Sequence, residues 1–120
     1  MRFFINGAEG NSLIHVRNAD STFNVLFLTD TGQPLSLASP AEAVVEFFTA
    51  KARVDAPPTS ITVTPSAGAA AGLGTIVVQD TNLDLSRTKW YVWGRYKSNA
   101  GTGPGTLVYI GGTPSTLEVI

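Results

Sequence analysis

Few residues in this chain could carry chemistry, and their spacing does not match any catalytic pattern. The single histidine, His15, lies in Leu13-Ile14-His15-Val16-Arg17. An imidazole acts as general base or metal ligand when serine, carboxylate or further imidazole groups stand with it. On an extended strand His15 alternates with Ile14 and Val16, so it is expected to face outward or toward a partner, with no Ser/Asp pattern beside it. Cysteine is absent, which excludes disulfides, thiol catalysis and thiolate zinc sites. Zinc would need three carboxylates beside the one histidine. Asp80-x-Asn82-x-Asp84 copies the first half of a calcium loop. Such a loop needs glycine at its sixth position and glutamate at its twelfth; here these are Leu85 and Tyr91. The run reads better as a turn whose short polar side chains bond nearby backbone. Ser86-Arg87-Thr88-Lys89 matches S-x-x-K, but the companion motifs of serine acyl-enzymes are missing and the segment enters a strand. Gly72-Leu73-Gly74 lacks the rest of a phosphate-binding fingerprint. No catalytic residue, metal or cofactor is expected, and the chain reads as a non-enzyme.

The aromatic run is the remaining feature. Trp90 and Tyr96 share one face of a strand, and Tyr91 and Trp93 share the other. One face must be core. The other can pack against a neighbouring subunit or stack on sugar rings; aromatic residues are enriched at protein contacts. Charged residues make up only 14% of the chain, against about 25% in an average soluble domain. So sparse a charge suits a chain packed against neighbours. The eight Lys and Arg residues are scattered and the net charge is -1, which gives no basic footprint for nucleic acid. No stretch is long and apolar enough to span a membrane, and the N-terminus lacks the apolar region of a signal peptide. The chain is therefore expected to be made in a cytoplasm and to stay soluble or join an assembly. The candidates for contact are the N-terminal arm (Phe3, Phe4), the small-residue segment 65–74 (Ala69, Ala70, Ala71, Leu73), Trp93, and the Gly-rich loop 99–105 (Thr102, Pro104).

The elements that must position these residues are short strands punctuated by turns. Strands are expected over 2–5, 13–17, 22–29, 43–50, 61–64, 75–79, 88–98, 106–110 and 116–120, the pattern of a sandwich or barrel. In 22–29 both faces are largely apolar, which marks a central strand. Ser39-Pro40-Ala41-Glu42 has the form of a helix start, although the β-branched and aromatic residues that follow favour a strand. The core is expected to gather Phe23, Val25, Phe27, Val45, Phe47, Val77 and one face of 90–96. The whole chain, 1–120, reads as one all-β domain: a single antiparallel β-sandwich of about eight strands, Ig-like or jelly-roll-like.

Four segments carry a resemblance. Phe23–Leu37 runs from an apolar strand through Asp30, Gly32 and Pro34 to Leu35-Ser36-Leu37. Gly74–Leu83 holds Val78-Gln79-Asp80-Thr81-Asn82-Leu83. Lys89–Tyr96 reads KWYVWGRY, and Leu117-Glu118-Val119 follows near the end. In this order they resemble small phage virion β-domains, namely the N-terminal domain of phage baseplate upper proteins and its Ig-like relatives in tails and capsids. The resemblance implies a structural virion protein. Those baseplate proteins continue into long receptor-binding regions, whereas this chain stops at the domain's end. That favours a capsid cement or decoration subunit over a tail or baseplate component. The implied partners are the major capsid protein or other virion subunits. A homo-oligomer, a trimer at first reading, is expected. A carbohydrate-binding module using Trp90 or Trp93 is the reading from another class.

Overall fold

The computed structural model describes residues 1–53, 57–99 and 108–120. The described residues form ten strands: β1 (Arg2–Ile5), β2 (Ser12–His15), β3 (Ser21–Leu28), β4 (Glu42–Phe48), β5 (Thr59–Thr62), β6 (Thr64–Pro65), β7 (Leu73–Val78), β8 (Lys89–Lys97), β9 (Val108–Ile110) and β10 (Ser115–Val119). They make two sheets. The four-stranded sheet runs β1-β3-β7-β6. The larger sheet runs β2-β10-β8-β4-β5, with β9 also on β8. β3 lies between β1 and β7, as its two apolar faces require. Its turn is built as the sequence suggests: Gly32 N–H donates to the Thr29 carbonyl (3.0 Å), and on the return Leu35 N–H donates to the Phe27 carbonyl (3.0 Å).

The inward faces of both sheets meet in one apolar core. Phe3, Ile5, Phe23, Val25, Phe27, Ile76 and Val78 come from the four-stranded sheet. Leu13, Val45, Phe47, Trp90, Val92, Tyr96, Leu117 and Val119 come from the larger one. Leu37, Val63 and Leu83 close its margins. Phe3 and Phe27 rings lie 5.2 Å apart, and Phe27 reaches Tyr96 of the opposite sheet at 6.4 Å. The close approach depends on Gly94, where a methyl group would stand 2.5 Å from the Phe3 ring.

Several expectations are corrected. The described residues hold ten strands against the eight or so expected, and the pairing is not wholly antiparallel. β10 runs parallel to β2, with Leu117 opposite Leu13. A parallel pair cannot close through a hairpin, and about a hundred residues separate these two strands. The expected strand over 61–64 divides at Val63. β5 belongs to the larger sheet and β6 to the smaller, and the buried Val63 marks the crossing. Val77 is 43% exposed, while Ile76 and Val78 point inward. Residues 38–41 form a turn, with Ala41 N–H on the Ala38 carbonyl (3.0 Å), and lead directly into β4.

Candidate functional site

One polar site lies where the sequence concealed it. His15 is fully buried, opposite to the outward position expected of it. The inward parity of β2 is Leu13 and His15; Ile14 and Val16 face solvent, 55% and 49% exposed. Leu117 and Val119 of the neighbouring β10 align with Leu13 and His15, so the register of β10 fixes which side is inside. His15 Nδ1 lies 2.7 Å from Ser21 Oγ, and His15 Nε2 lies 2.7 Å from Asp80 Oδ1. A carboxylate only accepts, so Nε2 carries the hydrogen; in the neutral ring Nδ1 accepts from the Ser21 hydroxyl. The other carboxylate oxygen of Asp80 accepts the Asn18 backbone N–H at 2.9 Å. That bond above all, then the one from His15, holds the Asp80 carboxyl below the usual carboxylate range, and Arg17 adds to it.

A serine, a histidine and an aspartate in one hydrogen-bonded line is the constellation of nucleophilic hydrolases. Its surroundings differ here. Ser21 and His15 reach toward each other from the inward faces of opposite sheets, and the His15 ring has no exposed surface. The neighbouring depression is lined by Asn18, Ala19, Asp20, Gln79, Asp80 and Thr81, not by Ser21 or His15. The three side chains tie β2, β3 and the 3-10 turn at Asp80–Asn82 together across one end of the core. The rest of the calcium-like run is also engaged locally. Asn82 Oδ1 accepts the Gln79 N–H (2.7 Å), and Asp84 Oδ1 accepts the Ser86 N–H and hydroxyl (3.0 and 2.7 Å). Among the described residues no group of three or more His, Asp or Glu side chains is gathered to hold a metal ion.

The second site is the outward face of the four-stranded sheet. Register places Phe4 of β1 opposite Leu26 of β3, and Leu26 opposite Leu73 of β7, so the three form one row across three strands. Leu28 lies opposite Arg2. Val77, opposite Thr22, continues the apolar side of β7. Leu73 is 41% exposed. Phe4, Leu26, Leu28 and Leu73 border an open depression of about 760 Å³ over β3. Thr22, Asn24 and Thr75 supply the polar, uncharged remainder of the face. At its edge Arg2 lies 3.0 Å from Glu9, so these two charges satisfy each other.

This face brings together Phe4 and Leu73, two of the residues picked out as contacts from sequence. Phe3 is not among them. It is 2% exposed and belongs to the core, because successive residues of β1 point to opposite faces. The segment 65–74 is a built turn that packs on the body. Leu37 N–H donates to the Ala69 carbonyl (2.8 Å), Phe27 N–H donates to the Gly72 carbonyl (3.0 Å), and Ala69 packs against the core. Ala70 and Ala71 remain exposed beside Leu73. Gly72 has φ +83°, and a methyl group there would fall 2.4 Å from the Phe27 carbonyl oxygen. Thr102 and Pro104 lie outside the described residues.

Trp93 lies on the far side of the body, on the outward face of the larger sheet. It is half-buried, opposite Glu46 in the β8–β4 register. Glu46 is 2% exposed and is held by Arg53, whose Nη2 and Nε lie 2.6 and 3.1 Å from Oε1. The same guanidinium lies over the Phe48 ring at 5.6 Å. Lys89 covers one side of Tyr91, with Nζ 5.4 Å from the ring centre. The second aromatic face is thus occupied in part by the chain's own side chains. No protein-family model matches the chain, and no match is found among the curated proteins.

Proposed function

We propose that this chain is a structural subunit of a phage particle. In this reading it is an Ig-like or jelly-roll-like β-sandwich that cements or decorates a capsid by burying apolar sheet surface against neighbouring subunits. The observation that carries the reading is the row Phe4–Leu26–Leu73 on the outside of the smaller sheet, extended by Leu28 and Val77. An antiparallel sheet with one face on a core normally turns a polar face to water, and a contiguous apolar patch marks a contact surface. The low charge and the order of motifs along the chain point the same way. Binding the assembled shell and not its free parts stabilises the shell by mass action. Function as an enzyme is no part of this reading, and neither is nucleic-acid binding. A tail or baseplate location uses the same chemistry with a different neighbour.

The test is sedimentation of the purified chain with preformed shells, followed by microscopy to locate it. Saturable binding to shells, absent with free coat subunits, is the expected result. A chain that neither binds shells nor occurs in purified particles refutes the assignment. Binding in a glycan screen, abolished by Trp93→Ala, would move the chain to the carbohydrate-binding class.

A further inference from the structure

We propose that two copies of this chain associate back to back through the outward faces of their four-stranded sheets, about a two-fold axis. The proposal rests on the contact role assigned to that face and names its occupant.

Two properties of the face favour a second copy. The first is charge. In a two-fold contact each residue near the axis meets its own counterpart, so any charge there faces a like charge. The outward residues of β1, β3 and β7 are Phe4, Thr22, Asn24, Leu26, Leu28, Leu73, Thr75 and Val77, with one charge beside them, Arg2, whose guanidinium lies 5.0 Å over the Phe4 ring. The one pair at its edge, Arg2 and Glu9, is already neutralised within the chain. A partner selected by charge would find only this internally neutralised pair at the edge, whereas an identical face with no net charge meets no net repulsion.

The second is shape. Leu73 and Val77 project from β7, 41% and 43% exposed, beside the depression that Phe4, Leu26 and Leu28 border. A two-fold rotation about β3 sets the β7 ridge of each copy into the depression of the other, so the fit is reciprocal. Strand spacing of ~4.8 Å and rise of ~3.3 Å per residue give a four-stranded face of roughly 20 by 20 Å. That footprint of roughly 400 Å² is below the ~800 Å² per partner of a standard stable interface. The dimer is therefore a weak one that depends on concentration and forms where copies are held close together.

The experiment measures the chain's mass in solution by sedimentation velocity from micromolar to millimolar concentration, with variants. Wild type is expected to pass from monomer to dimer over that range. Leu73→Glu should weaken the association by about a hundredfold or more, since each dimer loses two buried leucines and gains two carboxylates at one contact. Val77→Lys, near the other end of the ridge, should do the same. Both sites are exposed, and an unchanged melting curve shows that the variants fold. The chain has no cysteine, so a single introduced thiol reports its own surroundings. Asn24→Cys, at the centre of the face, should cross-link to its counterpart through a bis-maleimide spanning the ~10 Å between packed sheets. Glu118→Cys, on the larger sheet's outward face, should not. A wild type that stays monomeric to about 1 mM, a dimer indifferent to both ridge variants, or equal cross-linking from Glu118→Cys overturns the proposal. A chain that dimerises in this way but fails to bind shells refutes the capsid assignment and leaves the two-fold contact standing.

Discussion

Replacing Asp80 with alanine should destabilise this chain more than replacing His15 with leucine, although the two residues share one hydrogen bond. The asymmetry follows from which partner water can reach. Without Asp80, His15 Nε2 loses its partner whichever ring nitrogen carries the hydrogen, and the ring has no exposed surface through which water could replace it. A buried donor or acceptor left unpaired costs about 1–3 kcal/mol. The Asn18 N–H released by the same change sits in an exposed turn and rehydrates. Without His15, the stranded groups are the Asp80 carboxylate, 29% exposed, and the half-buried Ser21 hydroxyl. Water reaches both, and leucine fills the imidazole volume with apolar atoms. For a domain of this size ~1 kcal/mol moves the melting temperature by about 4 °C, so the two variants should melt several degrees apart at neutral pH. The double variant should be no less stable than Asp80→Ala alone, because no ring nitrogen remains to be stranded. Circular dichroism melts and urea titrations of the four proteins read this directly. Equal destabilisation, the reverse order, or strict additivity in the double variant would refute the reasoning. The pH dependence has a fixed sign. The folded Asp80 carboxyl titrates below its ordinary value near 3.8, so its contribution is present above that value and lost as pH falls through the lowered one. The gap between wild type and Asp80→Ala should close as the solution is acidified below about pH 4.

Four further outcomes are expected. Phe47→Ala removes a fully buried ring from the centre of β4 and should cost about 3–5 kcal/mol; a near-neutral effect on unfolding would mean that the core is not centred there. Gly72→Ala forces a side chain into the left-handed region and against the Phe27 carbonyl, and should cost at least about 2 kcal/mol; an unchanged melt would contradict the turn geometry. Arg53→Ala leaves Glu46 buried without its cation and should cost about 3 kcal/mol, whereas exchanging both residues for methionine should cost less; a urea titration that ranks them the other way defeats this. Burial, with Tyr109 beside it, raises Tyr96 above the usual 10.0, and the neutral phenol donates to the Ser36 carbonyl at 2.8 Å. This contribution is complete below the ordinary value and lost as pH climbs through the raised one. Tyr96→Phe should therefore lose less stability than wild type as pH rises above the ordinary tyrosine value of 10.0, measured by urea unfolding at each pH.

The positions of strands were legible where β-forming residues ran long or where turn chemistry was explicit. Thr22–Thr29 and Thr88–Ser98 fall within a residue or so of β3 and β8, and the turn at Asp30–Gly32 is where Gly and Pro place it. Alternation failed where both faces of a strand are apolar. In β2, Ile14 and Val16 outweigh His15 in hydropathy, yet the neighbouring strand turns His15 inward. In β7, Ile76, Val77 and Val78 are equivalent by composition, and only the pairing with β3 decides among them. The ambiguity has a physical meaning: these two strands carry apolar residues on their outward faces. The outward apolar row was half legible. Phe4 and Leu73 were picked out by residue type, but Leu26 was read only as part of a central strand, and cross-strand register is not written in a single segment. The Ser21–His15–Asp80 line was invisible for the same reason, since 65 positions separate His15 from Asp80.

The parallel pairing of β2 with β10 also bears on how the chain is made. β10 is the strand that joins β2 to the rest of the larger sheet, between β2 and β8. While the ribosome has not yet released residues 115–119, β2 has no place in that sheet and Leu13 and His15 have no wall behind them. Among the described residues the smaller sheet uses none beyond residue 78, and it can pair earlier in synthesis. The closure of β2 onto β10 is therefore a slow, long-range step that waits for residues 115–119, and the outward apolar row exists on a nascent chain before the body beneath it is complete. An incomplete chain with that row exposed is prone to premature association. A chain shortened to residue 114 should accumulate as aggregate in cells, while residues 115–120 supplied as a separate peptide should restore a soluble fraction.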